Sequence, residues 1–426
     1  MSGREVSERG KRAVAFAALR HPPFRIYLTA SMLAMTGDNM EHVISYWAMF
    51  QEFRSPLLGG YAVISHWLPV LLFGLYAGAL ADRFDCRRLI QISTAISASA
   101  QVGWGVLLVT DQLEPWHAVV LLTLHGLAAL FHGPATQMIM HDMVGREDLQ
   151  SAVRLSATSR QLGVLVGPAI GGALMLFVGP GVALLVNATT QLPLALWLLR
   201  APYTGHLRET GENERRSLAP RDVVGTVREL STNRSIVAML AVAGLTAVLV
   251  GHAFQAQMPE FAEDLGDTDG GHGYTALQMA QAGGALLGGV ALEAGGLIRP
   301  SVPAGILCAT LFAVAVAAFA AAPSVEIAVV LLFLAGVFRL AFSSMAQTIV
   351  QLEAPPRIRG RALGLFSMAQ MGLQVGSGLT VGVAGAIIGV HWSLGLSALV
   401  LTAGTLALLA YVRRNGVETH GASQGS

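Results

Sequence analysis

Long apolar runs broken by short polar stretches make up almost the whole chain. A bilayer's hydrocarbon layer takes about 20 helical residues to cross. On that measure the pattern predicts about 12 spanning helices, near residues 25–50, 57–81, 89–110, 116–140, 155–178, 181–199, 236–259, 275–298, 301–322, 326–350, 362–388 and 391–412. The breaks alternate in charge. Arginines fill the N-terminus, the 82–88 turn, the 146–160 segment, the 200–234 loop, Arg299, the 357–361 turn and Arg413 with Arg414. The intervening breaks carry Asp111 and Glu114, Gly179-Pro180-Gly181, Glu260 to Asp269, and Glu326, with Arg54 as the exception. Cytoplasmic loops collect arginine and lysine, so this alternation puts both termini in the cytoplasm.

The pattern also repeats. Ala118-Val-Val-Leu-Leu returns as Ala328-Val-Val-Leu-Leu, Gly126 matches Gly336, and Gln137 matches Gln347. Gly78 and Asp82 return as Gly289 and Glu293. A shift of about half the chain is the mark of two parallel six-helix halves. The expected fold class is therefore an all-α integral membrane protein of two pseudo-symmetric six-helix bundles. Residues 1–200 form the N-terminal bundle, 201–235 a cytoplasmic linker and 236–426 the C-terminal bundle. Within the linker, 221–230 has helical spacing and is read either as lying flat on the membrane or as a solvated helix.

Composition sharpens this picture. Of 426 residues, 53% are hydrophobic and 12% charged, against roughly 25% charged in soluble domains; mean hydropathy is +0.57. A net charge of +1 gives no reason to expect a nucleic-acid partner. Cys86 and Cys308 fall in a turn and a spanning segment and imply no disulfide framework. The basic N-terminus (Arg4, Arg9, Lys11, Arg12, Arg20) precedes an apolar run too long for a signal-peptide core, so it is expected to stay in the mature protein.

One break carries a signature. Gly74 and Gly78 are four residues apart and share a helix face; Asp82 and Arg83 follow, and Arg87 and Arg88 lead into the next apolar run. This G-x-L-A-D-R-x-x-x-R-R stretch resembles the loop signature of the major facilitator superfamily, with Asp85 where that family usually has glycine. The resemblance implies secondary transport by alternating access through a cavity lined by helices 1, 4, 7 and 10. It also implies that Asp82 caps helix 11 across the interface, making Gly74, Gly78, Asp82, Arg83, Arg87 and Arg88 switch residues. In helix 5, Gly163-Val-Leu-Val-Gly167-Pro168-Ala-Ile-Gly171-Gly172 has the small-residue spacing of a close packing seam. It also resembles the motif of proton-coupled exporters in that superfamily, so Gly167, Pro168 and Gly171 join the switch set. The turns at Gly145-Arg146-Glu147 and Arg359-Gly360-Arg361 resemble those of enterobactin-exporter-like and multidrug members. The superfamily's helix-4 arginine is absent; His117, His125 and His132 stand in that segment instead.

Charges inside a span are expensive and mark function. Asp38, Glu41 and His42 share one face of helix 1 and are expected to carry the coupling proton, a buried polar cluster being the alternative. Arg339 in helix 10 cannot shed its charge, so it requires a carboxylate partner or an anionic substrate. Through the resemblance, Asp38 or Glu41 comes within its reach. His125 and His132, seven residues apart on helix 4, with His252, Gln255 and Gln347, complete the expected substrate contacts. With His42 and His66 these histidines raise the thought of a metal site. No H-E-x-x-H spacing is present, however, and they are expected to act as hydrogen-bonding or protonatable groups, with no metal and no cofactor.

The reading is a multi-pass transporter of the inner (plasma) membrane, a monomer, not an enzyme. Its partners are protons, the lipid bilayer and a small amphipathic substrate, drug-like or siderophore-like, which it exports. Uptake by proton symport and a lipid-flippase activity are the rivals.

Overall fold

The computed structural model describes residues 16–81, 83–207, 225, 227–267, 271–295, 301–355 and 358–415. They form twelve long helices and, among the described residues, no strand. The N-terminal half holds α1 (Pro22–Phe53), α2 (Pro56–Ala81), α3 (Cys86–Val109), α4 (Pro115–Gly145), α5 (Glu147–Val178) and α6 (Pro180–Arg200). The C-terminal half holds α7 (Arg234–Ala256), α8 (His272–Gly295), α9 (Val302–Ala320), α10 (Val325–Glu353), α11 (Ala362–Ile388) and α12 (Val390–Arg414). Ten of them are long and apolar enough to cross a membrane; α1 and α8 are as long but more polar.

Local chemistry sets the ends. Proline opens α1, α2, α4 and α6, where its missing N–H has no helical partner to lose. Asp85, Asn233 and Ser301 cap α3, α7 and α9 through their side-chain oxygens. The backbone stays helical on either side of Gly145, whose φ of 75° separates α4 from α5. The apolar ruler ends helix 4 at residue 140 and starts helix 5 at 155. The helices instead run on to Gly145 and from Glu147, since a helix can be longer than the roughly 20 apolar residues that the ruler counts. Of the linker stretch 221–230, only 225 and 227–230 are described, and these are helical.

Close helix contacts are made at glycines. A Cβ on Gly126 would lie 2.0 Å from the Ser65 carbonyl oxygen of α2, and one on Gly336 would lie 2.2 Å from the Gln281 carbonyl oxygen of α8. The matched glycines of the two halves thus seat helix 4 on helix 2 and helix 10 on helix 8. Gly163, Gly167 and Gly171 of α5 lie against Met35, Thr36, Asn39 and Met40 of α1. The Asn187 amide of α6 donates to the Gly37 carbonyl at 2.7 Å. Together these contacts fix α1 along the turn that carries Asp38 and Glu41.

The halves join at the end away from the arginine-rich turns. There, Gly60 meets Gly382, Gly172 meets Thr275, and Trp47 stacks on Tyr274 at 5.4 Å. Tyr274 donates to the Val43 carbonyl at 2.8 Å, Gln257 donates to the Pro56 carbonyl at 2.6 Å, and Arg54 pairs with Glu263. One apolar core at this end draws on both halves, from Val43 and Trp104 to Phe254 and Leu401. At the arginine-rich end each half keeps its own core, one around Phe24 and Ile139 and the other around Met239 and Phe342.

Two outcomes follow for purified protein in detergent. Gly126→Ala is expected to lower the thermal midpoint, because α2 must move off α4, with overpacking of this kind costing about 1–3 kcal/mol. Gly133→Ala, on the same helix with nothing within 4 Å of its added carbon, is expected to leave it unchanged. Near the junction, burial and then Asp264 raise the Glu260 carboxyl above the usual carboxylate range, with His391 opposing. A raised carboxyl contributes its full stability below the ordinary carboxylate range and loses it as pH rises through the folded value. Glu260→Gln is therefore expected to raise the midpoint at neutral pH and above, the difference vanishing as pH falls toward about 4.

Candidate functional site

Where the shared core gives way to separate ones, α1, α2 and α4 bring three imidazoles together. The ring centres of His42, His66 and His125 are 4.9 Å, 5.1 Å and 5.2 Å apart, close to an equilateral triangle. One nitrogen from each ring lies within 4.8 Å of the other two, the only trio of metal-capable donors found so close among the described residues. The approach depends on Gly126, whose missing side chain lets α2 in beside His125.

The carboxylates of α1 complete the cluster. Glu41 is only 2% exposed; its Oε2 lies 3.6 Å from His42 Nδ1 and 3.7 Å from His125 Nδ1. Asp38 is more open, and its Oδ1 lies 3.3 Å from His125 Nε2. The His42 Nδ1–H donates to the Asp38 backbone carbonyl at 2.7 Å. The helix-1 face read from the spacing of Asp38, Glu41 and His42 is therefore real, and it is directed at α4.

An aromatic ladder continues into the C-terminal half. His66 packs edge-on to Trp67 at 4.7 Å, and Trp67 stacks on His252 of α7 at 5.9 Å. His252 hydrogen-bonds the Gln374 side chain of α11, and the Gln255 side-chain amide donates to Gln281 Oε1 of α8 at 2.8 Å. Trp67, Gln281 and Gln374 were not singled out in the sequence. Uncharged and set among many apolar residues, they carry no signal at that level.

Arg339 departs from expectation. It is half-buried in α10 and makes no ion pair or hydrogen bond with any described residue. Asp38 and Glu41 do not pair with it, because the nearer imidazoles of their own half engage both acids. Along α10, Arg339, Ser343 and Gln347 recur at four-residue spacing and form one polar stripe. Gln370 of α11 donates to Ser343 at 2.6 Å, and Gln347 is exposed. His132 is half-buried on α4, outside the imidazole triangle.

The expected switch residues divide. Asp82 lies outside the described residues, as do the surroundings of Gly74 and Gly78. Arg83 and Arg88 are exposed. Arg87 does not reach across the halves: it pairs with Asp85 at 3.0 Å and donates to the Ala201 carbonyl at 2.7 Å, tying α3 to the end of α6. Asp85, standing where the family usually has glycine, earns its place as the cap of α3, accepting from the Arg87 N–H at 2.9 Å. Gly167 and Gly171 form the seam against α1, and α5 continues helically through Pro168.

Comparison with known proteins agrees with this architecture. A family model described as a transmembrane secretion effector matches residues 13–423. The multidrug efflux pump Tap of Mycolicibacterium fortuitum is 27% identical over 81% of this chain and 84% of its own length. The staphyloferrin A transporter of Staphylococcus aureus is 23% identical over 35% of this chain and 38% of its own. Among solved structures, a bacterial homologue of the human lysosomal transporter Spinster, inward-facing and unoccupied, superimposes with a TM-score of 0.71 at 14% identity, covering 92% of this chain and 97% of that one. The inward-open xylose transporter XylE of E. coli gives 0.66 at 14% identity over 94% and 98%. A match spanning nearly the whole sequence, on a fold of two six-helix halves, makes this chain a multi-pass membrane transporter of the major facilitator superfamily, in its transmembrane secretion effector family.

Proposed function

We propose that the protein exports small amphipathic organic molecules bearing a negative charge, drug-like or siderophore-like, in exchange for protons. The observation that carries this reading is Arg339. An arginine in a spanning helix keeps its charge, and one that pairs with no acid among the described residues leaves that place to the cargo. The stripe that continues through Ser343 and Gln347, with His252 and Gln255 across from it on α7, offers hydrogen bonds to the cargo's polar end. Apolar side chains around them suit the rest of an amphipathic molecule.

Direction and energy source draw on the relatives. Tap is named a multidrug efflux pump, and the glycine–proline seam of α5 has the exporter pattern. A relative from Planococcus maritimus, 27% identical over 30% of this chain, is named a sodium, lithium and potassium–proton antiporter. The arginine-rich turns support an orientation in a bacterial inner membrane with that end and both termini on the cytoplasmic side. In that orientation the halves are joined on the outer side, leaving the cargo to enter from the cytoplasm. Alternating access then requires the outer contacts of Trp47, Tyr274, Gln257 and Arg54 to part.

The test is flux in proteoliposomes under an imposed pH gradient, using fluorescein as an amphipathic carboxylate and a rhodamine ester as its cationic counterpart. Fluorescein flux is expected to run opposite to the proton flow and to collapse with a protonophore. Arg339→Gln is expected to cut it at least tenfold, about 1.4 kcal/mol of lost recognition, with the thermal midpoint retained. Flux parallel to the proton flow makes the protein an importer. Fluorescein flux insensitive to Arg339→Gln overturns the anionic-cargo reading.

A further inference from the structure

The imidazole triangle has more donors than the hydrogen bonds around it use. Glu41 Oε1, His66 Nδ1 and His125 Nδ1 are all buried and have no hydrogen-bond partner. Buried polar atoms are nearly always satisfied, so three orphans in one cluster require an explanation. They are not scattered: His125 Nδ1 faces Glu41 at 3.7 Å, and its ring shares the triangle with His66.

The partners of the remaining atoms are those that metal-binding histidines use. His42 holds its Nδ1–H on the Asp38 carbonyl, which leaves Nε2 with its lone pair. His125 has Nε2 beside the Asp38 carboxylate at 3.3 Å, which leaves Nδ1. A carbonyl or carboxylate behind the far nitrogen is the usual arrangement that fixes tautomer and ring orientation in a metal ligand. Charge favours the same occupant. Glu41 is 2% exposed with one oxygen unpartnered, and a divalent cation beside it offsets the cost of burying an acid.

We propose that His42, His66, His125 and Glu41 form a binding site for one divalent transition-metal ion of the zinc type. Three imidazoles and a carboxylate suit such an ion, and a tetrahedral centre holds imidazole nitrogens at about 2.0–2.1 Å. The present spacing closes to that by side-chain rotation, with Gly126 keeping α2 against α4. All four ligands belong to α1, α2 and α4 of the N-terminal half. The halves can therefore rock against each other without opening the site, and the ion is a resident of that half. The site goes beyond the export reading and stands or falls separately. It also reverses the expectation from the sequence that these histidines are not ligands: H-E-x-x-H looks for ligands on one helix, and these come from three.

The experiment uses the full chain in detergent, stripped with a chelator and titrated with Zn(II) alone by calorimetry and with Co(II) by visible absorption. One ion per chain and the intense ligand-field bands of tetrahedral Co(II) are expected. His66→Gln, His125→Gln and Glu41→Gln are each expected to weaken Zn(II) binding at least tenfold and to abolish the rise in thermal midpoint that zinc gives the wild type. His132→Gln, two turns along α4, is expected to bind zinc like the wild type. X-ray absorption at the zinc edge of the wild type, which needs no variant to fold, is expected to fit three imidazoles and one oxygen. No stoichiometric binding, an edge spectrum without three imidazoles, or folded His66→Gln and His125→Gln proteins that bind like the wild type would each overturn the site.

Discussion

The arrangement depends on how closely a few helix backbones can approach one another. Lipid tails are as apolar as leucine, so nothing resembling the hydrophobic effect in water drives two spanning helices together. Contact has to be made by packing, and packing is tightest where a side chain is missing. Gly126 against Ser65 and Gly167 against Thr36 and Asn39 are such places. They bring α2 to α4 and α5 to α1, so two glycine seams determine where the ionisable side chains meet. Asp38, Glu41, His42, His66 and His125 gather because the helices carrying them can come that close.

The two halves use the same packing device for different chemistry. Gly336 seats α10 on α8 as Gly126 seats α4 on α2. Beside Gly126, however, the chain places acids and imidazoles that engage one another, whereas three residues after Gly336 it places an arginine that pairs with none of the described residues. One half gathers its acids and imidazoles into a single cluster and the other holds an arginine apart from them, which fits a fixed cluster facing a variable cargo. The ladder from His66 through Trp67 to His252 lies between them and crosses the plane along which the halves separate.

Closure at one end only follows from how the apolar core is distributed. Val43, Trp47, Phe254 and Tyr274 belong to a single core across both halves, while the arginine-rich end has two. Parting the shared core exposes apolar surface, so the contacts at this end can yield only when something compensates, as alternating access requires. Among the described residues the polar contacts there are few: Tyr274 to Val43, Gln257 to Pro56 and Arg54 with Glu263. This suits a gate better than a permanent interface.

By itself the sequence determined the twelve spans, the repeat and the arginine asymmetry, because lipid imposes length, polarity and loop charge residue by residue. It also marked Asp38, Glu41 and His42 as one face, since helical spacing is local. It did not determine which helix that face would meet. The pairing of the acids with His125 rather than Arg339, the isolation of that arginine, and the meeting of His42, His66 and His125 from three helices were decided only by the tertiary structure. Contacts of this kind depend on interhelical distances of a few ångströms, set by glycines whose partners lie on other helices far away in the chain. Nothing within a single span records them.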